Sequence, residues 1–173
     1  MTSVPDMRLL QAFACKADVA QNLTDLLVRL CQIDTTSRPD VADLARAEHA
    51  CFAIIRREIA RCCGVLRPNK LGDAQVREAP IDTASADHPF YSNPTYTRTD
   101  GQPMLTAAET YANRCNLVAE IDGARSSGGG IPLALNGHID VVHPYFPPRV
   151  RGRTVFGRGA CDDKGPVVSI LGA

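Results

Sequence analysis

An α/β layer architecture is the fold class the sequence predicts, and three observations carry it. Two apolar patterns at helical spacing open the chain, short extended segments follow, and a third helical pattern begins near Asp163. The 173 residues, 45% apolar and 22% charged, suffice for one ordinary domain with a core.

The first helix is expected from Asp18 to Ile33, where Val19, Leu23, Leu26, Leu27 and Leu30 share one face and Asp18 is placed to cap it. After the turn-like stretch 34–39, the second runs from Val41 to Cys62. Leu44, Ala47, Cys51, Ile54, Ile55 and Ile59 form its apolar side, and Gly64 is its expected stop. Residues 65–67 and 75–78 read as short extended segments. Residues 80–113, rich in Pro, Ser, Thr, Asp and Tyr, read as a loop-rich insertion, and residues 1–17 as a flexible lead. Asn116 to Ile121 and Ile131 to Asn136, separated by a flexible turn, read as two neighbouring strands. No internal repeat is visible. The last helical pattern breaks off at Ser169 to Ala173, which leads to the expectation of a truncated chain.

Composition narrows the function classes. Lys plus Arg equals Asp plus Glu at 19 each, so no long-range field draws in nucleic acid or an anionic membrane. Seven cysteines without a C-x-x-C pair read as free thiols of a reducing cytoplasm. The N-terminus, with Asp6 ahead of the first basic residue and Gln11 breaking its apolar run, makes a poor secretory signal, and no stretch has the length of a membrane span.

Two constellations carry chemistry. In Asn136-Gly-His-Ile-Asp-Val-Val142, His138 and Asp140 stand two apart at a strand end, so both side chains share a face. Imidazole is a zinc ligand at neutral pH, and a carboxylate near its other ring nitrogen fixes the tautomer and raises basicity. Alone, the pair more readily describes a histidine satisfied by backbone beside an aspartate that caps a turn. In Val155-Phe-Gly-Arg-Gly-Ala-Cys-Asp-Asp-Lys-Gly165, Asp162 and Asp163 lie where loop becomes helix. A carboxylate can bridge two divalent cations, and a helix N-terminus favours negative charge; either aspartate also fits an ordinary N-cap. A phosphate loop is set aside, because Lys164 is preceded by Asp163 and followed by Gly165.

In this order and close together, the two stretches resemble the paired signature of the aminoacylase, acetylornithine deacetylase, succinyl-diaminopimelate desuccinylase and carboxypeptidase G group of dinuclear zinc hydrolases. Arg114-Cys-Asn-Leu-Val-Ala119 resembles the strand ahead of that signature, and Leu30 to Ser37 is similar in kind to the group's early segment. The resemblance implies the amino-terminal part of a zinc-peptidase-like mixed sheet flanked by helices. It also implies that His138 binds one metal, that Asp140 is the acid orienting it, and that Asp162 bridges two metals, zinc or cobalt. Two cations about 3.5–4 Å apart would activate a bridging water and polarise an amide carbonyl. The implied substrate is a small N-acyl amino acid or dipeptide. Asp163 with Gly165-Pro166 is more similar to the dipeptidase-like members than to the deacetylases.

The same resemblance implies a Glu-Glu pair, whose first member is the general base, then a later acidic ligand and a distant histidine. None has a match here: Glu48, Glu58, Glu78, Glu109 and Glu120 are isolated and all precede the second motif. The expectation is therefore a partial catalytic domain over 1–173, lacking its carboxy-terminal half and the dimerisation domain, with weak metal binding and negligible turnover alone. The alternative is a non-catalytic relative acting as a metal-binding or interaction module, pairing with a separate carboxy-terminal half.

Other residues are expected to be structural. His143 beside Pro144 reads as a loop insertion, His49 and His88 as structural or solvated, and Cys161 as packing. Arg149, Arg151 and Arg153 alternate along an expected strand and share its solvated face.

Overall fold

Leu23, Leu26, Leu27 and Leu30 lie on one face of α1, Ala17–Cys31, and that face meets the apolar side of α2, Val41–Val65, and of the last helix. The computed structural model describes residues 17–65, 75–97, 103–121 and 133–172. Leu26, Leu30, Cys51, Phe52, Ile55, Ile139 and Val168 form the centre of the core. Full burial of each large aliphatic among them stabilises by roughly 1.5–3 kcal/mol. The apolar period in α2 correctly picks out Leu44, Cys51 and Ile55 but misses Phe52, which is also buried.

β1, Gln75–Pro80, pairs antiparallel with β2, Cys115–Glu120, so that Glu78 faces Leu117 and Pro80 faces Cys115. Between them lie two 3-10 turns, Thr83–Asp87 and Thr95–Thr97, and α3, Ala107–Thr110. This one-turn helix is held by a reciprocal capping box between Thr106 and Glu109. β3, Arg149–Arg151, and β4, Thr154–Phe156, form a second antiparallel ribbon, and α4 spans Lys164–Gly172. α1 packs along α4, and Leu23 fits against Gly172. A parallel bridge between Thr36 and Val141 ties the segment after α1 to the first motif.

The mixed α/β class therefore holds, with several corrections. Asp18 sits inside the first turn of α1, where its charge meets the helix dipole, instead of capping it. The helix ends at Cys31, two residues before the expected Ile33. α2 continues through Gly64 to Val65, so Val65 is helical rather than extended; 66 and 67 lie outside the described residues. Residues 133–136 form no ladder, and β2 takes β1 as its partner. An alternating pattern makes a chain extended, but a strand also needs a neighbour to bond to, and 133–136 have none among the described residues. Leu133 and Leu135 are accordingly 82% and 57% exposed. Residues 1–16, 122–130 and 131–132 lie outside the described residues, and with them the expected flexible lead and inter-strand turn. Arg149 and Arg151 do alternate on β3. Arg153 does not continue it, because the chain reverses at Gly152, whose φ of +59° suits glycine.

Candidate metal centre

Three segments converge on His138. The stretch after α1 supplies a rail: the buried Thr35 hydroxyl donates to the Ile139 carbonyl oxygen, and the Val141 N–H donates to the Thr35 carbonyl oxygen at 3.2 Å. Ile139 and Val141 point into the core, so by the period of an extended chain His138 and Asp140 point out together. From the other side comes the loop that opens α4, carrying Asp162 and Asp163.

The imidazole is held at both nitrogens. Nδ1 lies 2.9 Å from the Asp140 backbone oxygen and 3.3 Å from its carboxylate Oδ1, and Nε2 lies 3.1 Å from Asp162 Oδ1. The orienting contact at Nδ1 is thus shared between the carbonyl and the carboxylate of Asp140. Burial pulls the His138 pKa down, but the Asp140 carbonyl and the carboxylates of Asp140, Asp163 and Asp162 outweigh it, so the pKa lies above its ordinary value. An environment that favours a proton on this ring favours any small cation in the same place.

Asp163 has a different task. Its Oδ2 accepts from the His138 backbone N–H at 3.0 Å, and its carbonyl oxygen accepts from the Val167 N–H. Gly137 makes the contact sterically feasible, since a Cβ there would lie 2.8 Å from both Asp163 Oδ2 and Val167 Cγ2. Behind the loop, Lys164 is fully buried and its ammonium donates to the carbonyl oxygens of Leu30 and Ile33, at 3.0 and 2.8 Å. Sequence reasoning missed this anchor, because a lysine in a glycine-rich loop reads as solvated or phosphate-seeking.

The donor set can be tested against zinc. Two ligand atoms 2.0–2.2 Å from one tetrahedral ion lie roughly 3.4 Å apart. The 3.1 Å between His138 Nε2 and Asp162 Oδ1 is close to that span, and one ligand atom from each of His138, Asp162 and Asp163 falls within 4.8 Å of the others. Asp162 is 83% exposed at its side chain, leaving its second oxygen open. A nitrogen and a carboxylate are donors zinc accepts. The residues fit.

The remaining candidates lie elsewhere. His143 Nε2 bonds to the Ser37 carbonyl oxygen, while Arg158 donates to the Pro144 carbonyl oxygen, so this histidine belongs to the loop. His49 Nε2 donates to the Asn113 carbonyl oxygen, and His88 Nδ1 accepts from the Phe90 N–H. Cys161, expected to pack, is exposed: the loop buries Gly159 and Lys164 and turns the thiol outward. Cys31, Cys51 and Cys115 are also unpaired. All five glutamates are engaged away from His138: Glu48 with Arg114, Glu58 with Arg61, Glu78 with Arg56, Glu109 with Thr106 and Glu120 with Arg77.

Comparison with known proteins finds hydrolases. The chain is 38% identical over 66 residues to a LysW-lysine/LysW-ornithine hydrolase of Sulfurisphaera tokodaii, covering 36% of this chain and 18% of that protein. It is 35% identical over 65 residues to the hydrolase of the same name from Saccharolobus islandicus, covering 36% and 19%. A Pyrococcus horikoshii protein, assigned that name provisionally, is 47% identical over 48 residues, covering 28% and 15%. The matched stretch spans less than a fifth of the length of each of these relatives. No family model matches, and no solved structure does. Among the described residues, no helix is long and apolar enough to cross a membrane.

Proposed function

We propose that this chain carries part of the active site of a zinc-dependent amidohydrolase acting on a small N-acylated amino acid or peptide. The observation that carries the reading is the convergence of His138 Nε2 and Asp162 Oδ1 to 3.1 Å across two loops. His138 and Asp162 would hold metal, with Asp162 the bridging carboxylate between two ions. Asp140 orients the imidazole through Nδ1, and Asp163 holds the His138 backbone. The bound ions, zinc or cobalt, would supply an activated water and a polarised carbonyl. The cleft beside Asp140, where Ser37, Tyr96 and Tyr111 meet it, is where a small polar substrate would lie. Relatives named for LysW-lysine and LysW-ornithine support an amide-linked basic amino acid as one member of the substrate class.

The chain's own residues leave the chemistry incomplete. A general base must reach the attacking water, and every glutamate is engaged elsewhere. The 173-residue chain is therefore expected to bind metal weakly and to turn over negligibly. Calorimetric titration with zinc is expected to give weak binding that His138→Ala and Asp162→Asn each abolish at this site. A robust metal-dependent hydrolysis of N-acyl amino acids by the purified chain would overturn the incompleteness.

A second reading, an interaction module that pairs with a separate carboxy-terminal half, is favoured by the exposed Leu133 and Leu135 on a segment without a strand partner among the described residues. Unpaired extended chain with apolar side chains recruits further strands. Mass measurement of the purified chain tests the edge itself: self-association supports a segment open to strand pairing, and a stable, dispersed monomer counts against it.

A further inference from the structure

On α2, His49 stands edge-on to Phe52 of the core and meets the β1–β2 ribbon, whose Cys115 packs against the same core. His49 comes from α2, Glu78 from β1 and Cys115 from β2, and one ligand atom of each lies within 4.8 Å of the others. We propose that His49, Glu78 and Cys115 form a second cation site, separate from the His138 centre, that takes a borderline-soft divalent ion of the zinc type.

Four observations support it. First, the three residues sit on a helix and two paired strands, elements that hold side chains more firmly than loops do. Second, His49 Nε2 donates to the Asn113 carbonyl oxygen at 3.0 Å, which fixes the tautomer and leaves the Nδ1 lone pair on the side of Glu78 and Cys115. Third, Nδ1 stands 3.8 Å from Glu78 Oε1. That is too long for a hydrogen bond, yet close to the roughly 3.4 Å between two ligands of one tetrahedral ion. Fourth, one nitrogen, one carboxylate oxygen and one sulfur make a set that zinc accepts with water as fourth ligand, and sulfur selects against magnesium and calcium.

Burial and the Glu78 carboxylate hold the Cys115 thiol protonated, above its ordinary range. Binding therefore releases that proton to solvent, and the thiolate becomes the ligand. Arg56 is the competing occupant: its Nη2 donates to Glu78 Oε1 at 3.0 Å and its Nη1 to the Val76 carbonyl oxygen. If Arg56 already satisfies Glu78, no ion is needed, and the experiment must separate these cases.

The reduced 173-residue chain is titrated with cobalt chloride and followed by absorbance. A thiolate-to-cobalt charge-transfer band saturating near one equivalent is expected, because the His138 centre offers no sulfur. The band should persist in His138→Ala, Asp162→Asn and Cys161→Ser and vanish in Cys115→Ser. Should Cys115→Ser misfold by circular dichroism, Glu78→Gln serves in its place: it keeps the sulfur and should weaken cobalt at least about tenfold. No band in the parent chain, a band that survives Cys115→Ser, or an unchanged affinity in Glu78→Gln would overturn the site.

Discussion

The Asp163 carboxylate accepts a hydrogen bond from the backbone N–H of His138 at 3.0 Å, locking the loop that opens α4 onto the strand-like segment that carries the imidazole. The aspartate beside the candidate bridging ligand thus holds the Asp162 loop at a set distance from the imidazole. It acts through the backbone, so the identity of residue 138 does not alter it.

Gly137→Ala tests that lock. A methyl 2.8 Å from Asp163 Oδ2 and from Val167 Cγ2 cannot be accommodated without moving one of them. Overpacking of this kind costs about 1–3 kcal/mol. Chemical denaturation should show that loss, and zinc affinity should fall although every ligand remains. A variant of parental stability and affinity would mean that the loop shifts freely.

Lys164 makes the second test. Its buried ammonium serves the carbonyl oxygens of Leu30, which also accepts from the Ile33 N–H at 3.2 Å, and of Ile33, just past the end of α1. Lys164→Met keeps most of the volume and removes the donor, leaving both carbonyls buried without it. The expected loss is about 1.5–3 kcal/mol, read from the urea midpoint. A loss below about half a kcal/mol would show that water replaces the ammonium.

Legibility in the sequence followed the reach of each interaction. The apolar periods of α1 and α2 and the onset of α4 are local properties, and they were readable to within a few residues. His138, Asp140 and Asp162 were singled out by a spaced motif, and the fold brings the two carboxylates against the imidazole. Thr35, Asp163 and Lys164 act on backbone groups of segments as many as 134 residues away, a relation no local pattern encodes. Strand pairing failed for the same reason. The alternation in 133–136 is genuine, but nothing in those residues says which edge they will meet, and β2 had its partner in the less regular Gln75–Pro80. Arg153 failed through one glycine, whose turn ended the alternation that Arg149 and Arg151 began.

The Arg114–Glu48 pair offers a prediction about the scaffold. Both side chains are nearly buried, with Nε to Oε2 at 2.9 Å and Nη2 to Oε1 at 2.6 Å, and the guanidinium also meets the Tyr96 hydroxyl. Burial works against the charge on Arg114, but Glu48 more than restores it, so its pKa stays above the ordinary arginine value. Glu48→Ala strands that charge and should cost about 3–5 kcal/mol, whereas a joint apolar replacement, Glu48→Leu with Arg114→Met, should recover much of the loss. A double-mutant cycle in urea measures both. If the double variant is as unstable as the sum of the singles, the pair has no coupling and the assignment fails.

His138 contributes a pH dependence of its own to the metal-free protein. Its folded pKa lies above its ordinary value because Asp140, Asp163 and Asp162 surround the ring. A raised pKa means the folded state binds the proton more tightly than the unfolded state. The resulting stability is fully present below the unfolded pKa of roughly 6.5 and is lost as pH rises through the folded pKa. With chelator present, the thermal midpoint should decline as pH climbs above roughly 6.5, and His138→Gln should flatten that decline. Zinc should reverse the trend, since the ion competes with the same proton and binds better as pH rises. A nuclear magnetic resonance titration placing the His138 pKa at or below 6.5 would remove the basis for all three expectations.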